Sequence, residues 1–309
     1  MRHHLLLVAV LSMIVVYSGC ENNFSPVGDY QKQLVVYGVL SNRSDSQYVR
    51  VYTMYNLYAE PATDAGVRDA RVTMTVDSTT FTFSETHIPR DDTTRYSSPI
   101  VAYVDYPCRV RRGKKYSLAI SSSQGGATAT VTVPGNGYLD NFSPGVFEAP
   151  RFTTDDITVT IGLSEPTQGY WVRLFINFET WAGVDSAHTI QRRLEVPLAG
   201  DSLMTPGRVW YPALLRRTYL GFPVIFPHDA YFGVYKKLIE AHYQKHFRLT
   251  SATFVLTQLE SNLYYYYSVV NGFRDPYSIR MDKPDFTNIA GGAGVFGAMV
   301  EDSIVVKLY

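Results

Sequence analysis

Cysteine is nearly absent from this chain: 309 residues carry 2, too few for the disulfide framework that staples small secreted domains. Charge is sparse and balanced, with 18% of residues charged and 28 Lys+Arg set against 28 Asp+Glu. Without a basic excess the chain has little with which to neutralise a run of phosphates, which argues against a nucleic-acid partner. No apolar run reaches the about 20 residues that a bilayer-spanning helix needs, and neither a fixed-period repeat nor a low-complexity tract occurs. What is plentiful is aromatic: 24 Tyr and 16 Phe within a 46% hydrophobic composition. That apolar content can offset the entropy of ordering the chain, and Tyr and Phe favour half-buried pleated surfaces, so the composition leans toward β structure. At about 150 residues per domain the length suits one large or two medium domains.

The first residues have their own pattern. Arg2, His3 and His4 precede an apolar run from Leu5 to Val16 broken only by Ser12, and Tyr17-Ser18-Gly19-Cys20 follows. A charged start, a short apolar stretch and a small-residue ending describe a signal peptide over residues 1–19. The Ser-Gly-Cys ending resembles the bacterial lipobox, which implies cleavage before Cys20, a diacylglycerol on its sulfur and a further acyl chain on its freed amine. Each buried CH₂ contributes about 0.8 kcal/mol, so two or three long chains anchor a protein where one does not. Lipidation of Cys20 leaves Cys108 without a partner, and a buried free thiol is the expected state of Cys108. Cleavage removes Arg2 and no acid, so the charge balance survives processing.

Residues 20–32 are polar, contain Pro26 and Gly28, and read as a tether. Strand-like runs follow at Leu34–Leu40, Tyr48–Tyr52, Val72–Val76, Phe81–Phe83, Tyr116–Ile120 and Ala127–Val133, with turn residues between them and no helical period. Residues 33–134 are therefore expected to form a sandwich of antiparallel strands. Pro134-Gly135-Asn136-Gly137, Pro144-Gly145 and Pro150 punctuate a linker over 135–150. Residues 151–309 read as a second β-rich domain, with strands at Ile157–Leu163, Tyr170–Phe178, Leu194–Val196, Phe247–Thr257 and Ile304–Leu308. One or two short helices are expected there, around Tyr231–Ala241 and from an N-capping Ser261 to Val270.

Four segments carry a family resemblance: LVVYGVLS from Leu34, VRDARVTM from Val67, LTQLESNLYYYYSVV from Leu256 and TNIAGGAGVFGA from Thr287. Together with the lipobox they resemble the domain-of-unknown-function 4249 lipoproteins over about Leu34 to Leu308. The Asn-Ile-x-Gly-Gly-x-Gly-Val-Phe-Gly piece is the most specific, and residues 140–230 match nothing nameable. The resemblance implies a lipid-anchored protein of the outer membrane of Bacteroidota-type bacteria, on either face. It further implies an accessory role beside a TonB-dependent receptor, and it supplies no catalytic residues. Val67-Arg68-Asp69-Ala70-Arg71-Val72 also resembles a strand of carboxypeptidase-regulatory-like, immunoglobulin-like β-sandwiches.

Candidate chemistry is thin. Gly291–Gly297 invites a phosphate-loop reading, but no Lys-Ser/Thr, helix or βαβ unit accompanies it; a tight turn before the last strand, with Phe296 in the core and Gly292 and Gly294 structural, is the expectation. His242 and His246 have metal-ligand spacing without the Glu of a zinc protease, and Asp91-Asp92 and Asp155-Asp156 lack the alternation of a calcium loop, so no metal or cofactor is expected. The basic run from Arg109 to Lys115 suits either a solvated hairpin end or contact with headgroups or an acidic partner. Tyr264, Tyr265, Tyr266 and Tyr267, with Trp171 and Trp181, are the candidate partner or ligand surface, core packing being the alternative. No Gly-x-Ser-x-Gly elbow is present. Three functions stay open: a non-enzymatic envelope accessory protein, a glycan- or peptide-binding lipoprotein, and a hydrolase assembled from distant residues.

Overall fold

Alternation sets the first strands. In β3 (Arg71–Val76) Val72, Met74 and Val76 are buried while Arg71 is exposed, and in β7 (Gly125–Thr132) Ala127, Ala129 and Val131 point inward between exposed neighbours. Side chains of a strand point alternately to its two faces, so such segments bury one face. With β1 (Leu34–Ser41), β2 (Gln47–Thr53), β4 (Thr79–Ile88), β5 (Ile100–Asp105) and β6 (Lys115–Ser122) they form an antiparallel path in the order β1-β2-β5-β4-β3-β6-β7. Strand β4 pairs with β3 through Thr79–Phe83 and with β5 through Ser84–Ile88, so it passes from one layer to the other and makes the array a sandwich. The computed structural model describes residues 33–54, 66–90, 99–140, 156–181, 189–196, 214–217, 223–242, 247–269 and 286–307. Cys20, the tether, Asp91-Asp92, Asp155 and His246 lie outside them.

The second half builds its own core. Strands β8 (Tyr138–Asp140), β9 (Ile157–Gly162) and β13 (Val224–Phe226) form a small sheet. Strands β10 (Thr167–Trp181), β11 (Thr189–Val196), β12 (Leu215–Arg216) and β14 (Phe247–Glu260) extend the large one. Helix α1 (His228–His242) contributes Ala230, Tyr231, Val234 and Leu238 to a core that holds Val172, Leu174, Ile176, Phe254 and Leu256. Helix α2 (Ser261–Val269) follows β14 without a break. Both helices fall where sequence placed them. Tyr138–Asp140, within the stretch read as linker, is a strand because Leu139 packs against this second core.

The last strand joins the halves. β15 (Gly292–Lys307) is 16 residues long. Its start, Gly292–Met299, pairs in parallel with Leu34–Ser41 of β1, and its end, Met299–Lys307, pairs antiparallel with β14. Phe296, Ala298 and Val300 thereby enter the core of the first half. Thr128 and Ala290 exchange two backbone bonds of 2.9 and 2.8 Å, which tie β7 to the approach of β15. The described residues from Gln33 onward belong to one compact unit.

Strand β1 is buried on both faces, with Leu34, Val36 and Leu40 in the sandwich core and Tyr37 in a separate cluster on the other side. A continuous apolar run is what a doubly buried strand requires. The glycine cluster is corrected here: Gly291 makes the turn at φ 79°, but Gly292, Gly294 and Gly297 belong to the strand. Gly294 sits at φ 106°, and a Cβ there would lie 2.1 Å from the Val36 carbonyl oxygen. Phe296 is fully buried, as expected from sequence. Among the described residues no helix is long and apolar enough to cross a membrane.

Candidate functional site

The tyrosine run lies on α2, and the helix divides it. Helical neighbours at successive positions point about 100° apart, so Tyr266 and Tyr267 are buried at 4% exposure each while Tyr265 stands out at 43%. Tyr37, Trp171, Leu259, Leu263, Tyr266, Tyr267 and Val295 form one cluster beneath the helix. The Tyr37 and Tyr267 hydroxyls are 3.1 Å apart and hydrogen-bonded, and the Tyr37 and Tyr266 rings meet at 6.0 Å. Tyr264 rests on Gly169, where a Cβ would come within 2.1 Å of its ring. Tyr265 meets the Tyr264 ring edge-on, at 5.6 Å between centres, and the Phe286 ring at a tilt, at 6.0 Å. The residues with surface to offer are therefore Tyr264, Tyr265 and Phe286. Trp171, Tyr266 and Tyr267 anchor the patch from below. Trp181 is not part of it, since it ends β10 about 33 Å of strand away from Trp171.

Helix α2 is held at its start by Glu260, which sequence reasoning missed. Its carboxylate accepts the Asn262 and Leu263 backbone N–H groups at 2.7 and 2.8 Å, so Glu260 is the cap rather than the expected Ser261. A carboxylate at a helix N-terminus satisfies orphan donors and meets the positive end of the dipole. Glu260 is 2% exposed. Burial pushes its pKa above the usual carboxylate range against the pull of donors from Asn262, Leu263, Ser261 and Ala298. The only sequence signal was an acid directly before Ser261-Asn262, at the end of an apolar run.

A second polar array lies across the β10–β11 pair. Arg173 and Arg193 both set their guanidinium carbons 4.7 Å from the Phe175 ring centre, one on each side of the cross-strand register. Arg173 grips Glu195 through two bonds of 2.8 and 2.7 Å, which raises the arginine's pKa. Asn177 donates to Ser251 and Thr253, and Glu179 accepts from Arg248 and Gln191, which lowers its pKa. At the junction of the halves Arg112 pairs with Asp302 at 2.6 Å and donates to the Glu301 carbonyl at 3.0 Å. Arg43 pairs with the Glu301 side chain at 3.1 Å. Burial raises the Glu301 pKa despite Arg43 and Arg173.

The remaining sequence candidates resolve individually. Cys108 is a buried free thiol whose pKa is pushed up to about 12 by burial, with Asp105 adding to it; so high a value makes the thiol inert at neutral pH. In the basic run Arg109 pairs with Asp45, Arg111 and Lys114 with Asp77, and Arg112 with Asp302. No cluster of three metal-binding side chains occurs among the described residues. Along α1, Phe232, Tyr235, Lys236, Ile239 and Glu240 form an open, mainly apolar face of the helix.

The sequence profile of a family described as "Domain of unknown function (DUF4249)" matches residues 21–304. No curated protein matches the chain. Among solved structures, domains A168–A170 from titin are similar at 10% identity and a TM-score of 0.18, over 74% of this chain and 61% of that one, so the chain spans less than two thirds of that protein's length.

Proposed function

Because the chain belongs to the DUF4249 family, we propose that it is a lipid-anchored accessory protein of the cell envelope that docks onto an outer-membrane transporter of the TonB-dependent kind. The observation that carries this reading is the apolar run Leu5–Val16 ending at Ser18-Gly19-Cys20, in a chain whose family match spans residues 21–304. Acyl chains on Cys20 hold it to the membrane, and the protein works by contact rather than by chemistry. Support comes from the buried acids: Glu260 serves a helix terminus and Glu301 an arginine, so neither is left to act as a general acid or base. The exposed Tyr265, flanked by the half-buried Tyr264 and Phe286, is the docking surface of first choice, since Tyr gives large contact area with a polar tip.

Affinity purification of the tagged, full-length protein from detergent-solubilised membranes tests the reading. Co-recovery of a β-barrel transporter is expected, and recovery of the protein alone counts against it. A second reading, capture of a glycan or peptide, rests on the exposed aromatic face of α1 at Phe232, Tyr235 and Ile239. It expects thermal stability to rise with a ligand by linkage; an unchanged melting temperature across a panel of both ligand classes eliminates it.

A further inference from the structure

We infer that the end of the sandwich carrying Arg68, Arg71 and the Ser121–Gly126 turn faces the phospholipid bilayer, and that the second half of the chain projects away from it. The inference rests on the lipid anchor proposed for Cys20. Described chain begins at Gln33, and Leu34 opens β1. Leu34 pairs with Gly292 and with Thr53. The residue before Gly292, Gly291, lies against the Gly126 carbonyl, where a Cβ would approach to 2.5 Å. Arg71 pairs with Ser121, and Asp69 accepts the Ser123 backbone N–H at 2.9 Å. The β6–β7 turn and the segment 68–71 therefore surround the point where the tether joins.

Lengths keep the far tip of the second half beyond the anchor's reach. Between Cys20 and Gln33 the chain reaches at most about 45 Å when fully extended, whereas β15 alone runs about 53 Å from Gly292 beside Leu34 to Lys307. The second half hangs on the far portion of that strand, Met299–Lys307.

Charge points the same way. At the far end of the sandwich Arg43, Arg109, Arg111, Arg112 and Lys114 each pair with a carboxylate, and only Lys115 of the basic run has none among the described residues. At the tether end Arg68 and Arg71 are exposed and make no ion pair among the described residues. Unpaired arginines near an anionic surface are attracted to its headgroups within a Debye length. The obvious basic run is thus paired with carboxylates except at Lys115 and turned from the membrane, while Arg68 and Arg71, with Asp69 between them, face it.

The test uses the full-length acylated protein in vesicles of phosphatidylethanolamine and phosphatidylglycerol containing an acceptor-labelled lipid. Ser123→Cys at the near end and Ser44→Cys at the far end carry the donor dye, Cys108 being buried and Cys20 blocked. Energy transfer several-fold stronger from position 123 is expected, since about 26 Å of β1 separates the two ends. Equal transfer, as from a molecule lying on its side, or stronger transfer from position 44 overturns the orientation. Replacing Arg68 and Arg71 by Gln is expected to weaken transfer from position 123, and an unchanged signal removes their role. Mass spectrometry separates the two failures: an unacylated Cys20 sinks the anchor itself, whereas an acylated Cys20 with the wrong transfer pattern sinks only the orientation.

Discussion

Asn288 and Phe296 bond to each other as two strands would: the Phe296 N–H donates to Asn288 Oδ1 at 2.9 Å, and Asn288 Nδ2 donates back to the Phe296 carbonyl at 2.8 Å. Asn42 repeats the arrangement on the same strand, accepting from the Glu301 N–H at 2.8 Å and donating to its carbonyl at 3.0 Å. Two side-chain amides thus complete β15 at two points along its length.

Removing either amide strands two backbone groups in a protected place. Asn288→Ala should cost about 2 to 3 kcal/mol, since an unsatisfied buried group costs about 1 to 3 kcal/mol. Asn288→Asp, which keeps the acceptor and loses the donor, should fall between it and the parent. Chemical denaturation with an unchanged m-value reads this, and three coincident midpoints would contradict it.

Gly294→Ala should fail to fold or lose more than about 4 kcal/mol, because the new Cβ meets the Val36 carbonyl and φ is positive. Gly113 is the control: it too has positive φ, 71°, but open space around its Cβ position. Gly113→Ala should cost only about 1 kcal/mol, the price of backbone strain. Equal losses would mean that the parallel β1–β15 contact is looser than described.

Stability should depend on pH through Glu260. Its folded pKa is raised above the unfolded value, so the folded state holds the proton more tightly. The stability it contributes is complete below the ordinary carboxylate range near about pH 4 and declines as pH rises through the raised value. Glu260→Gln, which keeps the shape and cannot ionise, should therefore gain on the parent as pH climbs from about 4 to 7. Denaturation midpoints of the two proteins across that window should converge or cross; parallel curves would refute the assignment.

The tyrosine run should separate into two phenotypes. Tyr267→Phe removes the bond to Tyr37 and should cost about 0.5 to 1.5 kcal/mol, with a double-mutant cycle against Tyr37→Phe recovering a coupling of that order. Tyr265→Ala, at an exposed site, should leave the melting temperature nearly unchanged and lower the yield of co-purified transporter. An undiminished yield would move the docking surface elsewhere.

Cys108 should resist a maleimide in the native protein and react on unfolding, because only the thiolate attacks and burial has pushed the pKa up to about 12. Rapid native labelling would contradict the buried placement.

Local pattern sufficed for much of the architecture. Period-two alternation marks Val72–Val76 and Ala127–Val133, and a polar start marks α2, because each depends on neighbours a few residues apart. The short, nearly unbroken apolar run Ile100–Asp105 escaped notice, since a run without alternation is ambiguous by period, although Ser97-Ser98-Pro99 and Pro107 bound it. The candidate patch was legible as composition and not as surface. Which tyrosine is exposed depends on what α2 packs against, and its partner Tyr37 lies 230 residues away in sequence from Tyr267.

The sequence by itself determined the β character of both halves and the places of the two helices, because each follows from contiguous residues. Only the tertiary structure decided that the glycine-rich tail is a strand, that it pairs in parallel with β1, and that Glu260 rather than Ser261 caps α2. Parallel pairing of chain ends leaves no local trace: register is chosen by which side chains find a core and which backbones can approach, and at Gly294 and Val36 that choice is made by the absence of one carbon atom.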